Sequence, residues 1–194
     1  MTKEIGRVYD FVFRGMLAEE YLDKSGRVSS LAFDGLDQEI SGRLALDVID
    51  ESFVVAARRM AVVYTAVAAF ENSVRKLIST VLLEQLGDNW WETGVSEKIR
   101  RKSETRRVEE ERVKWHTQRG ASPIAFVDLS DLATIIRNNW TLFEAFMPSI
   151  EWASSVFDVL ERSRNVIMHS GDLGLEDVER VGINIRDWVK QVGA

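Results

Sequence analysis

Three polar side chains near the C-terminal end of the sequence could together act on a phosphate. They are Arg164, Asn165 and His169, in the run RNVIMH at residues 164–169. Histidine has an ordinary pKa that allows proton transfer near neutrality, and arginine offers a planar pair of donors to phosphate oxygens. Cleavage of RNA by its own 2′-hydroxyl needs a group that moves a proton and a fixed cation. The run therefore predicts a group of side chains that could bracket one phosphate.

The spacing sets how these side chains face one another on a helix. Five positions separate Arg164 from His169, about 140° around a regular helix, so the two would flank a phosphate rather than stack. Asn165 lies one turn before His169 and can touch it. A histidine in the last turn of a helix is also common as a simple cap, because its cation interacts well with the helix dipole. Composition alone favours the cap.

Charged residues interrupt two otherwise apolar helix faces. Arg164 lies on the apolar stripe of a predicted helix from about Ile150 to His169, and Glu71 lies on that of a predicted helix from about Phe53 to Leu86. A buried charge without a partner is costly, so we expect a contact between Glu71 and Arg164 that supports the site. The alternative, which the pattern favours less, is that such a pair only stabilises the fold.

A basic segment lies within an acidic chain. The net charge is −6, yet residues 97–119 hold nine Lys or Arg against five Glu. Such a segment could guide an RNA backbone while the acidic remainder repels nonspecific RNA. An exposed helix of Glu–Arg pairs explains the segment equally well. The candidate RNA-binding residues are Arg100, Arg101, Lys102, Arg106, Arg107 and Arg112.

Apolar residues recur at helical spacing, and no alternating strand pattern of useful length is present. The pattern predicts an all-α, up-and-down helical bundle over residues 53–194, preceded by an N-terminal helical extension over residues 1–52. In the extension we expect a helix through Leu22 and irregular structure from Lys24 to Gly42. The bundle helices are expected at about Phe53–Leu86, Val95–His116, one or two within Asp128–Phe146, Ile150–His169, ended by Gly171 and Gly174, and Leu175–Val189.

Composition excludes several classes of site. The chain has no cysteine and only two histidines, which excludes disulfides, thiolate zinc sites and a histidine-rich metal cluster. We expect no metal and no cofactor, although the composition still allows a metal site made of carboxylates alone. No uninterrupted apolar run approaches the roughly 20 residues of a membrane span, and the first residues lack the pattern of a signal peptide. A cytoplasmic protein without a membrane partner is the expectation.

The run at residues 164–169 resembles the signature of the HEPN superfamily (higher eukaryotes and prokaryotes nucleotide-binding), an arginine followed four to six residues later by a histidine. Further matching residues are Phe70-Glu71-Asn72 with Arg75, Asn139-Trp140 with Phe143, and residues 160–170. Together they are similar to the HEPN domain of the eukaryotic messenger-RNA quality-control endonuclease. The resemblance covers about residues 53–189.

This resemblance implies a metal-independent endoribonuclease that works as a homodimer, with the motifs of two subunits facing a shared cleft. Arg164 and His169 would be the catalytic pair, and Asn165 would orient them or contact RNA. Bacterial members are often toxins or effectors of phage defence, which implies an antitoxin or regulatory protein as a further partner. The alternative is a non-catalytic HEPN module that binds RNA, a nucleotide or a partner protein. A helical dimerisation protein without nucleic acid is a third interpretation.

Overall fold

The computed structural model describes residues 30–193 together with positions 15 and 18. Within this part of the chain the secondary structure is helical and no strand occurs, which confirms the predicted all-α bundle. Two short 3₁₀ helices lie at Leu46–Val48 and Pro123–Phe126. The α-helices are α1 (Ser30–Arg43), α2 (Glu51–Leu86), α3 (Trp90–Gly94), α4 (Glu97–Glu111), α5 (Leu129–Asn138), α6 (Trp140–Phe143), α7 (Ile150–Met168) and α8 (Leu175–Val192).

The N-terminal region departs from its prediction. The expected helix through Leu22 lies outside the described residues except at positions 15 and 18, and the irregular structure expected up to Gly42 is wrong from Ser30 onward. Glycine weakens a helix by only about 1 kcal/mol relative to alanine, and Arg43 pairs with Glu39 one turn earlier at 2.8 Å. The chain divides into two compact units between Val55 and Ala56. The domain boundary expected after residue 52 stays a prediction.

Helix α2 forms where its apolar residues recur every three or four positions, and its observed bounds confirm the predicted long helix. Val67, Val74 and Ile78 are fully buried on its inner face. The helix ends at Gly87, whose φ of +73° is a conformation that suits glycine. By length and composition alone α2 could also cross a membrane, although buried apolar residues at this spacing are typical of a core helix. The cytoplasmic location stays a prediction.

Aromatic residues join three helices in the core. Trp188 of α8 is 1% exposed and lies 5.3 Å from the Phe70 ring of α2 and 5.4 Å from the Phe157 ring of α7, centroid to centroid. Trp152, also on α7, stacks on Trp188 at 5.7 Å. Edge-to-face and offset contacts of this kind add to the free energy gained from burial. The core therefore fixes α7, which carries the Arg164–His169 motif, against α2, which carries Glu71.

Candidate functional site: a polar cleft and the end of helix α7

Helix α7 presents Arg164 from the face that it buries. Ser149 caps the helix by accepting a hydrogen bond from the Trp152 backbone N–H at 3.1 Å. Leu160 and Phe157 are buried one and two turns before Arg164 on the same stripe. Arg164 follows these residues on the same stripe, at the edge of the core. Its side chain there is 31% exposed.

The contact expected between Glu71 and Arg164 is present. The Arg164 Nε lies 3.7 Å from the Glu71 Oε2, and the Glu71 side chain is only 10% exposed. At this distance the contact is an ion pair without a direct hydrogen bond. Among the described residues, the two terminal nitrogens of Arg164 make no hydrogen bond. Glu71 therefore contacts this guanidinium and leaves its outer donors available, and its role in positioning Arg164 stays a prediction.

Glu71 has a closer partner in Arg75, one turn later on α2. Arg75 Nη2 donates to the Glu71 carboxylate and to the Val127 carbonyl at 3.0 Å, and its other nitrogens donate to Asn72 Oδ1 and the Ile124 carbonyl. Arg75 thereby fastens α2 to the segment at residues 123–127. Sequence reasoning gave Arg75 no such task, although its i,i+4 spacing from Glu71 was a usable signal. We call Glu71, Arg75 and Arg164 the Glu71 cluster.

A polar cleft of about 510 Å³ opens beside the Glu71 cluster. Four arginines and two carboxylates line it, so positive charge dominates its wall. The charged lining residues are Arg75, Arg106, Arg119, Arg164, Glu71 and Asp128. Such a wall suits a ligand with phosphate groups. His169 is not part of the lining.

His169 occupies the C-cap of α7, and its side chain is exposed. Its backbone N–H donates to the carbonyls of Asn165 and Val166 at 3.2 and 3.3 Å. The Asn165 side chain is also exposed, and in the described part of the chain no hydrogen bond joins it to the imidazole. This position suits a helix cap and a reactive histidine equally well. The catalytic assignment of Arg164, Asn165 and His169 stays a prediction.

The turn after His169 closes the helix tightly. Ser170 has a φ of +59° and donates its N–H to the Ile167 carbonyl at 3.0 Å, while Gly171 donates to the Val166 carbonyl at 2.8 Å. These two bonds form a Schellman motif. A Cβ on Gly171 would lie 2.9 Å from the Val166 carbonyl oxygen, so only glycine fits. Gly171 thus ends α7 as predicted, with Ser170 as the left-handed residue, whereas Gly174, also expected to end α7, is the N-cap of α8.

The six basic candidates on and after α4 differ in how their charges are used. Arg101 pairs with Glu97 one turn away, and Arg107 pairs with Glu104 at 2.7 Å and with Glu111. Arg100 Nε donates to the Val95 carbonyl at 3.1 Å. Arg112 is exposed just beyond the last residue of α4. Glu–Arg pairing within the helix is therefore extensive, and a role of these residues in RNA binding stays a prediction.

Lys102 and Arg106 hold the segment before α5. Arg106 binds Asp128 with two nitrogens, one at 2.7 Å, and donates to the Phe126 carbonyl at 2.8 Å. Lys102 Nζ lies 2.8 Å from Asp128 and 2.6 Å from Asp131. We call Lys102, Arg106, Asp128 and Asp131 the Asp128 cluster. Partial burial raises the pKa of Asp128, but hydrogen bonds from Arg106 and Lys102 outweigh it and lower the pKa to about 2.

Comparison with known protein families gives one match for this chain. The family model described as Swt1-like HEPN matches residues 65–193. The chain belongs to the Swt1-like HEPN family. The predicted resemblance to the HEPN superfamily is thereby confirmed, and the match includes Glu71, Arg164 and His169. No curated protein and no solved structure matched the chain. Membership in this family indicates a role as a ribonuclease or in RNA binding. In the described part of the chain, no group of three His, Asp or Glu side chains could hold a metal ion.

Proposed function

We propose that this HEPN protein is a cytoplasmic, metal-independent endoribonuclease that cleaves RNA at a cleft between two subunits of a homodimer. The observation that carries the proposal is the state of Arg164, which Glu71 positions while its outer nitrogens have no partner among the described residues. An exposed histidine, His169, follows on the same helix. The messenger-RNA quality-control endonuclease that the sequence resembles gives the same expectation.

The proposed chemistry assigns one task to each residue. His169 accepts the proton of a 2′-hydroxyl as its oxygen attacks the adjacent phosphorus, and the 5′-oxygen leaves with a proton. Arg164 donates to the phosphate oxygens, whose negative charge grows in the transition state. Asn165, exposed beside Arg164, contacts the RNA backbone. The products are a 2′,3′-cyclic phosphate and a 5′-hydroxyl.

A dimer supplies what one chain lacks. The reaction needs a proton acceptor and a proton donor, and each chain has a single histidine in this motif. A second copy of the chain would bring a second histidine to the cleft between the two subunits. HEPN domains often dimerise, which supports this arrangement.

We propose a toxin or phage-defence effector as the cellular setting, with an antitoxin or regulatory protein as its partner. The resemblance to bacterial HEPN proteins supports this setting. Growth arrest on expression that disappears with His169→Ala, at equal protein level, is the expected behaviour. Equal arrest by both proteins would contradict it.

A non-catalytic module that binds RNA, a nucleotide or a partner protein is the second candidate. The observation that favours it is the engagement of the basic helix α4. Arg101, Lys102, Arg106 and Arg107 all pair with carboxylates of the same chain. With a net charge of −6, the chain lacks a general positive field for holding long RNA.

Cleavage of total RNA in EDTA separates the two candidates. Wild type is compared with Arg164→Ala and His169→Ala, each checked first for helical content and dimer mass. The matched control is Arg180→Ala, which removes an exposed arginine that pairs with Asp177 at 3.1 Å. We expect cyclic phosphate ends from wild type and Arg180→Ala, and no cleavage by the other two variants. Intact RNA with all four folded proteins would favour the binding module.

A further inference from the structure

The polar cleft contains unused hydrogen-bond donors at two places. Arg75 and Arg106, both in its wall, spend their donors on carboxylates and backbone carbonyls of the same chain. The Arg119 Nε forms an ion pair with Glu110 at 2.6 Å, and its terminal nitrogens make no hydrogen bond within the described part of the chain. The same holds for Arg164. Two guanidinium groups of one cleft thus remain able to bind an anion.

An aromatic ring lies beside these donors. Tyr64 lines the cleft from α2 and is 41% exposed. Within the described residues it stacks on no other ring, and the lining residue one turn later is the small Ala68. A ring with an open face beside a cationic wall is the combination that binds single-stranded nucleic acid, because every base has a face that can stack. Asn72, on the next turns of the same wall, adds an amide group.

We propose that the cleft binds one nucleotide of single-stranded RNA next to the phosphate that is cleaved. Arg119 binds the phosphate of this nucleotide, and Arg164 binds the neighbouring phosphate that is cleaved. Tyr64 stacks on the base, and the Asn72 amide contacts a base edge or the ribose. Pockets of roughly 300–1,000 Å³ hold small ligands, and this cleft of about 510 Å³ lies in that range. The inference rests on the proposed function for the substrate class, and it adds Tyr64, Asn72 and Arg119 as positioning residues.

Arg164 belongs both to the polar cleft and to the Arg164–His169 motif, and it therefore connects the two. Arg164 lines the cleft, whereas His169 lies outside it at the end of the same helix. A strand bound with one nucleotide in the cleft would pass Arg164 before it reaches His169. Double-stranded RNA cannot offer an unstacked base to Tyr64, so the cleft selects single strands.

Binding of an uncleavable probe tests the cleft separately from catalysis. The probe is a fluorescein-labelled, single-stranded 2′-O-methyl 12-mer of mixed sequence, titrated by fluorescence anisotropy at several salt concentrations. The proteins are wild type, Arg119→Ala, Tyr64→Leu, Tyr64→Phe and the control Arg180→Ala. Circular dichroism and dimer mass establish that each variant folds.

Each variant has its own expected signature. Arg119→Ala weakens binding at least fivefold and lowers the slope of log affinity against log salt by about 0.7, the value for one phosphate contact on a single strand. Tyr64→Leu weakens binding at least fivefold without changing that slope, because stacking involves no counterion release. Tyr64→Phe keeps the ring and binds within about twofold of wild type. Arg180→Ala does the same.

Several results would overturn the proposal. The proposal is wrong if folded wild type does not bind the probe, or if Arg119→Ala and Tyr64→Leu both bind it as tightly as wild type. It is also wrong if Arg180→Ala weakens binding as much as they do, or if a duplex of the same sequence binds with equal affinity. Cleavage of natural RNA is measured in parallel. The expected binding pattern without cleavage would refute the ribonuclease and retain the cleft. Cleavage with normal binding by the cleft variants would refute the cleft and retain the ribonuclease.

Discussion

The Glu71 cluster and the Asp128 cluster use the same side-chain types with opposite results. In the Asp128 cluster, Arg106 and Lys102 face two carboxylates and a backbone carbonyl, and Arg106 is 24% exposed. In the Glu71 cluster, one carboxylate serves two arginines, and Arg75 takes the closer position. Arg164 is left with a single contact at 3.7 Å.

The ratio of cations to carboxylates separates architecture from a candidate site. A cation whose donors are all satisfied stabilises the fold and has little left for a ligand. When a cation is held by one nitrogen and its other nitrogens have no partner, folding of the chain already orders its side chain. A phosphate that arrives there finds donors already oriented. The two clusters therefore predict different consequences for the loss of an arginine.

The largest expected effect is on cleavage by Arg164→Ala. Loss of a donor that stabilises the transition state lowers kcat about 10²–10³-fold. Because Arg75 still pairs with Glu71, the free energy of unfolding should fall by less than about 1 kcal/mol. Arg106→Ala should instead lower it by about 2–3 kcal/mol, since Asp128 loses a bidentate partner. Urea denaturation and RNA cleavage measure the two effects, and equal destabilisation by both variants with unchanged cleavage would erase the distinction.

Arg75→Met should have the next largest effect. It removes hydrogen bonds to Glu71, Asn72 and two backbone carbonyls while retaining the volume of the side chain. We expect a loss of about 2–3 kcal/mol in the free energy of unfolding, because Glu71 is mostly buried. Arg75→Lys should recover part of that loss. If thermal and urea unfolding of Arg75→Met match wild type, Arg75 is not the structural member of its cluster.

Acid should reveal the Asp128 cluster. The pKa of Asp128 is lowered to about 2 in the folded protein, whereas an unfolded aspartate has a pKa of about 3.9. The stabilisation is thus complete above about pH 4 and disappears as pH falls toward 2, a loss of about 1–2 kcal/mol after solvent screening of a partly exposed group. The stability difference between wild type and Asp128→Asn should shrink over this range. A constant difference would argue against the lowered pKa.

The smallest expected effect is the coupling between Glu71 and Arg164. In a double-mutant cycle with Glu71→Gln and Arg164→Gln, the coupling energy should be about 0.5–1 kcal/mol, because the contact is partly buried but long. The exposed pair of Glu97 and Arg101 should give less than about 0.5 kcal/mol in the same assay. Additive effects of the Glu71 and Arg164 substitutions would show that Glu71 does not position Arg164.

Sequence alone could predict the elements whose information is local. The spacing of apolar residues predicts both α2 and α7. The charges that interrupt these apolar faces predict the contact between Glu71 and Arg164. The cleft could not be predicted, because it depends on where the segment at residues 123–128 lies relative to α4 and α2. The partners of Arg75 and Arg106 in that segment are long-range contacts without a periodic signal. The irregular structure expected from Lys24 to Gly42 is wrong from Ser30 onward, because glycine and serine weaken a helix without excluding it.

The Schellman motif at the end of α7 has a consequence for how His169 can move. The backbone on either side of this residue is held, by the last helical turn before it and by the bonds of Ser170 and Gly171 after it. The imidazole itself is exposed and turns about only two side-chain torsions. The backbone of His169 is thus fixed, and only its side chain can rotate. In the proposed ribonuclease, the imidazole would therefore change rotamer while the backbone that joins it to the last turn of α7 stays in place.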